Sequence, residues 1–181
     1  MTLLDHRGPA IAAVMCDRDG TLIEDIPYNG DPALVEALEG VVDGLALLRT
    51  RGVPLAMVTN QSGVAKGLID KGEVDAVNRA VVEIVGPLDV VAVCVHDDAD
   101  ACDCRKPKPG LILEAARALG IEPARCVVVG NSPVDVEAAE RAGARAILIS
   151  DAGDHDARSQ GRTAPVVTSF GQAVELIVGD L

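Results

Sequence analysis

The sequence predicts an α/β fold, a doubly wound parallel sheet with helices on both faces. Two observations carry this. Short apolar runs of Val, Ile, Leu and Ala alternate with segments of helical period, the pattern of a parallel sheet covered on both sides. Polar clusters containing Asp, Asn, Thr and Gly follow several of those runs, at the carboxyl ends where open α/β sheets place ligands. No insertion in the 181 residues is long enough for a second domain, so 1–181 is expected to form one unit.

Residues 11–16 are short, partly β-branched and uninterrupted, and read as a buried strand. The run leads directly into Asp17 and Asp19. On extended backbone, residues two apart point to the same side, so the two carboxylates share one spot. Their repulsion is about 4 kcal/mol at ~4 Å in an effective dielectric of ~20. A cation between them, or a proton on one, removes that cost. Mg²⁺ takes oxygen ligands and is usually held by one or two carboxylates plus phosphate oxygens. The pair therefore points to a Mg²⁺–phosphate site, although an Asp-rich turn uses the same residue types. Gly20 permits the sharp turn away.

Residues 23–39 lack a period and contain Pro27, Tyr28, Asn29, Gly30, Asp31 and Pro32, which predicts an ordered loop beside the carboxylates. A helix follows over 42–51, with Val42, Leu45 and Leu48 inward and Gly52 as its stop. The second strand, 55–58, ends in Thr59-Asn60-Gln61-Ser62-Gly63. These residues suit either helix capping or a grip on a phosphoryl group through a hydroxyl and backbone amides. Asp70 and Glu73 have capping-box spacing, and the helix behind them is expected to turn Val74, Val77, Val81 and Ile84 into the core. Strands are predicted at 90–95, 126–130, 146–149 and 166–168, and helices at 109–119, 133–142 and 172–178. Residues 151–163 read as a mobile polar loop.

Cys94-Val95-His96 and Cys102-Asp103-Cys104 form the sharpest local signal. Each pair is spaced by two, so its side chains project together from extended backbone. Three thiolates and one imidazole suit tetrahedral Zn²⁺, and four protein ligands close the shell, so this zinc is structural. Cys16 and Cys126 fall inside apolar strands and read as inert core residues. Arg105-Lys106-Pro107-Lys108-Pro109 follows the last zinc ligand directly. A pinned loop holds such cations rigidly, and the prolines restrict it further. Beyond the fourth strand, Asn131 offers a carbonyl oxygen and Asp135 a carboxylate one helical turn on, or else this segment only caps the next helix.

Composition excludes several classes. The net charge is −12, from 16 basic and 28 acidic residues, with one Tyr, one Phe and no Trp. That argues against nucleic acid, which needs a basic face and stacking aromatics. An anionic substrate then requires local cations to reverse the field, and Arg105 and Lys106 supply them. No apolar run reaches the ~20 residues of a membrane span. Asp5 and Arg7 precede only a short apolar stretch, unlike a signal peptide. The expectation is a cytoplasmic monomer that binds neither membrane nor nucleic acid.

Together the motifs resemble those of the haloacid dehalogenase (HAD) phosphatase superfamily over residues 14–143. Asp17-x-Asp19-Gly20-Thr21 is similar to its first motif, Thr59 to its second, Lys106 to its third, and Gly130-Asn131-(x)₃-Asp135 to its fourth. The Asn60-Gln61-Ser62-Gly63-Val64-Ala65 run, the zinc knot and Arg105-Lys106-Pro107 resemble the small branch that contains heptose bisphosphate phosphatases and histidinol phosphatases. The resemblance implies a Rossmann-like core without a separate cap domain, carrying a zinc-binding loop. It further implies Asp17 as nucleophile, Asp19 as general acid and base, and Thr59 and Lys106 as stabilisers of the transferring phosphoryl group. Catalytic Mg²⁺ would lie at Asp17, the Asp19 carbonyl and Asn131, with Asp135 as a further donor. Asp25, Tyr28, Asn60, Gln61, Ser62 and Arg105 would read the rest of a small phosphorylated sugar or related metabolite. Structural Zn²⁺ would sit on Cys94, His96, Cys102 and Cys104. The family pattern carries Asp where this chain has Asn131, which takes one negative charge from the Mg²⁺ shell.

Overall fold

A computed structural model describes residues 10–150 and 164–181; the loop expected at 151–163 lies outside the described residues. Among those described, six strands form one parallel sheet in the order β3-β2-β1-β4-β5-β6. They are β1 (Ala13–Cys16), β2 (Leu55–Asn60), β3 (Val90–Cys94), β4 (Cys126–Gly130), β5 (Arg145–Ile149) and β6 (Val166–Val167). The helices are α1 (Val41–Thr50), α2 (Lys71–Val85), α3 (Gly110–Leu119), α4 (Pro133–Ala142) and α5 (Phe170–Gly179). Among the described residues no helix is long and apolar enough to cross a membrane.

The period of two along each strand divides the core into two layers. Val14, Cys16, Leu55, Met57, Val127, Val129 and Ile147 face the layer shared with α1, α2 and α5. Ala13, Met15, Ala56, Val58, Cys126, Val128, Ala146 and Leu148 face α3 and α4. The second layer is rich in alanine on both sides, with Ala115, Ala116, Ala138 and Ala139 supplied by the helices. Cys16 and Cys126 are buried as expected, and burial pushes the Cys16 thiol up to about 12.

Two helical faces differ from expectation by one residue. In α1 the buried residues are Val41, Gly44, Leu45 and Leu48, while Val42 is exposed. Leu45 and Leu48 face inward as expected; in the first turn Val41 takes the buried place expected for Val42. In α2 the stripe runs Val74, Val77, Val81 and Val85, and Ile84 points outward. A last step of four rather than three keeps Val85 over the sheet, since 3.6 residues per turn allows either. The predicted Asp70–Glu73 capping box is present, with both reciprocal bonds at 2.7 and 2.8 Å.

The sheet places the site. β1 lies between β2 and β4, so the chain leaves it in one direction and later returns on the other side. This is a topological switch point, and the crevice opens at the carboxyl ends of the strands that flank it. Asp17 N donates to Val129 O at 3.0 Å, carrying the β1–β4 ladder one residue past the strand. The loop predicted at 23–39 is ordered by bridges from Ile23 to Asp19 and Ala37 and by a 3₁₀ turn, Pro32–Leu34, capped by Asp31.

Candidate functional site

A cavity of about 380 Å³ opens at the switch point. Its walls include Asp17, Arg18, Asp19, Asp25, Tyr28, Asn60, Gln61, Ser62, Lys106, Asn131 and Asp135. Four separate loops therefore bring most of the predicted residues to one place. A larger groove of about 700 Å³ runs along edge strand β3, floored by Val91, Val93 and Val95. Its rim carries Lys71, Asp75, Arg79, Glu83 and Glu114, and Lys71 pairs with Asp75 on the surface at 2.7 Å.

Lys106 is the hub. Its side chain is 1% exposed, and Nζ donates to Asp17 Oδ1 at 2.7 Å, Asp135 Oδ1 at 2.6 Å and Val58 O at 2.9 Å. Burial works against its charge, but Asp17 and Asp135 outweigh this, so its pKa is raised. Burial pushes the Asp17 carboxyl up to about 6; Lys106 pulls against the rise and the Asp135 charge adds to it. The second Asp135 oxygen accepts from Ser132 N at 3.1 Å, which ties the start of α4 to the same network.

Asp19 is held from two directions. Arg18 Nε lies 3.1 Å from both of its oxygens, and Gln61 Nε2 donates to Oδ2 at 2.8 Å. Gln61 also donates to Thr59 Oγ1 at 2.9 Å. Thr59 is buried immediately behind the residues that line the cavity.

Three assignments change in this light. Asn60, expected to read substrate, has its amide committed to the backbone of Lys106: Nδ2 donates to Lys106 O at 3.0 Å, and Lys106 N donates to Oδ1 at 3.1 Å. It fixes the lysine that the cavity presents. Arg105 is not among the lining residues; Nε donates to the exposed Asp98 at 2.8 Å. Asp135 serves first as the partner of Lys106. Tyr28, held at φ 53°, lines the mouth, and its hydroxyl accepts from Lys66 Nζ at 2.9 Å. Arg18 was missed because a buried arginine between two aspartates looks like one more solvated charge in sequence.

The donor set fits Mg²⁺. Four carboxylates (Asp17, Asp19, Asp25, Asp135) line the cavity with two buried cations (Arg18, Lys106), so negative charge is in excess. Carboxylate and amide oxygens of the kind Asp17, Asp19 and Asn131 carry are the ligands a hard cation prefers. Gly20 sits at φ 71°, and a Cβ there would collide with the Asn131 side chain. Glycine thus lets the Asn131 amide close over the turn that carries both aspartates.

The four predicted zinc ligands also converge. Cys94 Sγ lies 3.1 Å from Cys104 Sγ and 3.7 Å from Cys102 Sγ, and His96 Nδ1 lies 3.3 Å from Cys104 Sγ. All four ligand atoms fall within 4.8 Å of one another. Bonds of about 2.3 Å to a tetrahedral Zn²⁺ require sulfur–sulfur edges near ~3.8 Å, so the cluster is of the right size. Burial, with two neighbouring thiols, pushes Cys104 up to about 12. Burial also opposes ionisation of Cys102, but the Arg105 amide and the adjoining thiols outweigh it and bring Cys102 down to about 7. A cation is what allows all of them to be thiolates together. Gly110 closes the knot: its N donates to Asp103 O at 3.1 Å, and a Cβ would strike that carbonyl. Lys108 Nζ donates to Ala101 O and Cys102 O. Cys102→Ser, or chelation of zinc, is expected to raise KM several-fold by loosening Arg105 and Lys106, and to lower Tm. Metal content, Tm and KM on the same sample check this.

Known proteins resemble this chain in sequence and in fold. The model of the haloacid dehalogenase-like hydrolase family matches residues 28–143. The D-glycero-beta-D-manno-heptose-1,7-bisphosphate 7-phosphatase of Mesorhizobium japonicum is 33% identical over 146 residues, 75% of this chain and 67% of that protein. The enzyme of the same name from Bordetella bronchiseptica is 32% identical over 153 residues, 82% of this chain and 86% of that protein. A crystal structure of the D,D-heptose 1,7-bisphosphate phosphatase from B. bronchiseptica, complexed with magnesium and phosphate, superimposes with a TM-score of 0.83 at 28% identity. It covers 94% of this chain and 100% of that one.

Proposed function

We propose, from the premise that this chain belongs to the haloacid dehalogenase-like hydrolase family, that it is a Mg²⁺-dependent phosphatase of a heptose bisphosphate. One observation carries the reading: Asp17, Asp19, Lys106 and Asn131, from three separate loops, line a single cavity that contains more carboxylate than cation. The heptose bisphosphate comes from the likeness to the Mesorhizobium and Bordetella enzymes. It also fits the small cavity and its polar mouth.

An Asp17 oxygen attacks phosphorus, forming an aspartyl-phosphate as the bond to the sugar oxygen breaks. Asp19 gives its proton to that departing oxygen, which leaves as the alcohol. Water then attacks phosphorus and loses its proton to Asp19, and the phosphorus–Asp17 bond breaks, releasing phosphate. Lys106 stabilises charge on the transferring group, and Thr59, expected to share that role, lies behind the lining and braces Gln61 instead. Asp17, the Asp19 carbonyl and Asn131 would hold Mg²⁺, which when bound supplies positive charge for the phosphate oxygens. Arg105, 21% exposed and outside the lining, would reach the far end of the substrate only by giving up Asp98. The protein acts in the cytoplasm, where the zinc thiols stay reduced.

The deciding experiment is a phosphate-release screen over heptose bisphosphate, histidinol phosphate and common sugar phosphates, with and without Mg²⁺. The highest kcat/KM is expected for heptose bisphosphate and only with Mg²⁺. A higher value for histidinol phosphate would move the substrate to the sister branch, and no release from any ester would mark a protein that only binds phosphorylated ligands. Asn131→Asp is expected to tighten Mg²⁺ roughly tenfold by restoring a negative charge at the ion. Titration calorimetry reads this directly, and an unchanged or weaker midpoint removes Asn131 from the shell.

A further inference from the structure

The motifs do not account for how α2 takes part in the site. Arg18 is 1% exposed, and its guanidinium makes two commitments. Nε faces both Asp19 oxygens at 3.1 Å, and Nη1 donates to Asn78 Oδ1 at 2.8 Å. Asn78 is itself buried, 7% exposed, on the inward stripe of α2 beside Val74, Val77 and Val81. A polar amide at such a position is costly unless it is paired, and its carbonyl is paired with this arginine.

The guanidinium is a rigid plane. With Nη1 tied to a helix, the plane cannot turn, and Nε stays aimed at Asp19. The Asp19 side chain is 23% exposed at the mouth of the cavity, where a carboxyl without tethers samples several rotamers. Gln61, braced by Thr59, holds one oxygen from the other side. A carboxyl that must deliver a proton to one particular oxygen depends on this: misplacement by ~1 Å costs about 100-fold in rate.

We propose that Asn78 is a positioning residue which, through the Arg18 guanidinium, orients the Asp19 carboxyl toward the leaving oxygen of the substrate. This rests on the reading of Asp19 as proton donor given above. Asn78 touches neither substrate nor metal; it acts at one remove, from α2.

The test compares two esters on the enzyme loaded with Mg²⁺ and Zn²⁺. An alkyl sugar phosphate needs a proton on its leaving oxygen, whereas p-nitrophenyl phosphate expels a stable anion and does not. kcat/KM reports the first transfer in both cases. For Asn78→Leu, and for the smaller Asn78→Ala, it is expected to fall about tenfold on the alkyl ester and less than about twofold on the aryl ester, since the Gln61 tether remains. Asn78→Asp keeps an acceptor oxygen for Arg18 and is expected to restore the alkyl rate. Equal losses on both esters, no loss on either, or an Asp variant no better than Leu would each overturn the proposal. Asp19→Asn is measured alongside. If it spares the alkyl ester, the proton-donor reading itself is wrong. If it loses that activity while the Asn78 variants do not discriminate, only the role of Asn78 is wrong.

Discussion

Asp17→Asn is expected to abolish Mg²⁺-dependent phosphate release, by at least about 1000-fold, because the amide cannot form the phospho-enzyme. The same substitution is expected to improve the pH dependence of stability in the metal-free protein. Burial holds the folded-state pKa of Asp17 near 6, against an ordinary value of 3.8. The folded chain therefore keeps this proton to higher pH than the unfolded chain. Its contribution to stability is fully present below about 3.8 and is lost as pH rises through about 6. A shift of this size is worth at most about 3 kcal/mol. Urea unfolding of metal-free protein between pH 4 and pH 7 should show wild type losing stability relative to Asp17→Asn. Parallel curves would mean that the carboxylate is compensated without a metal.

Lys106→Met is expected to fail in the opposite way. It removes the one ammonium between Asp17 and Asp135, leaving two buried carboxylates and the Val58 carbonyl without their donor. Breaking a buried pair from one side costs about 3–5 kcal/mol, and losing a preformed cation at the phosphoryl group costs about 100- to 1000-fold in rate. Unfolding and kcat/KM on the same preparation check both numbers. A variant that stays inactive but unfolds like wild type would show that the lysine serves the chemistry alone. Two neighbours in one network thus have stability effects of opposite sign. Asp17 is a charge set against burial, and Lys106 is the charge that makes this tolerable.

Much of this was legible in the sequence because it depends on short-range pattern. The strand before Asp17, the capping box at Asp70 and the Cys₃His spacing each follow from residues a few positions apart, where period and turn chemistry decide the outcome. Asp17, Asp19, Gln61, Ser62 and Asn131 could be assigned to one crevice because each ends or follows a strand of a parallel sheet. What stayed hidden depends on where side chains point once distant elements meet. Asn60 and Arg105 are polar residues in polar loops, and nothing local distinguishes one that touches a ligand from one that braces Lys106 or pairs with Asp98. Arg18 and Asn78 are sixty positions apart, and their bond exists only because α2 packs over the turn after β1. The inward stripes of α1 and α2 were read correctly in their middles, at Leu45, Leu48, Val74, Val77 and Val81, and missed only at the ends, Val42 and Ile84, where a neighbouring valine is equally apolar and what lies beneath the helix decides.

The lysine between the two buried carboxylates comes two residues after Cys104, and Asn60 grips its backbone from the opposite side. The reactive end of the molecule is therefore tied through the backbone to a Cys/His cluster that could hold zinc and that lies outside the cavity. In a cell short of that trace element, turnover is expected to follow its supply as well as the amount of protein made.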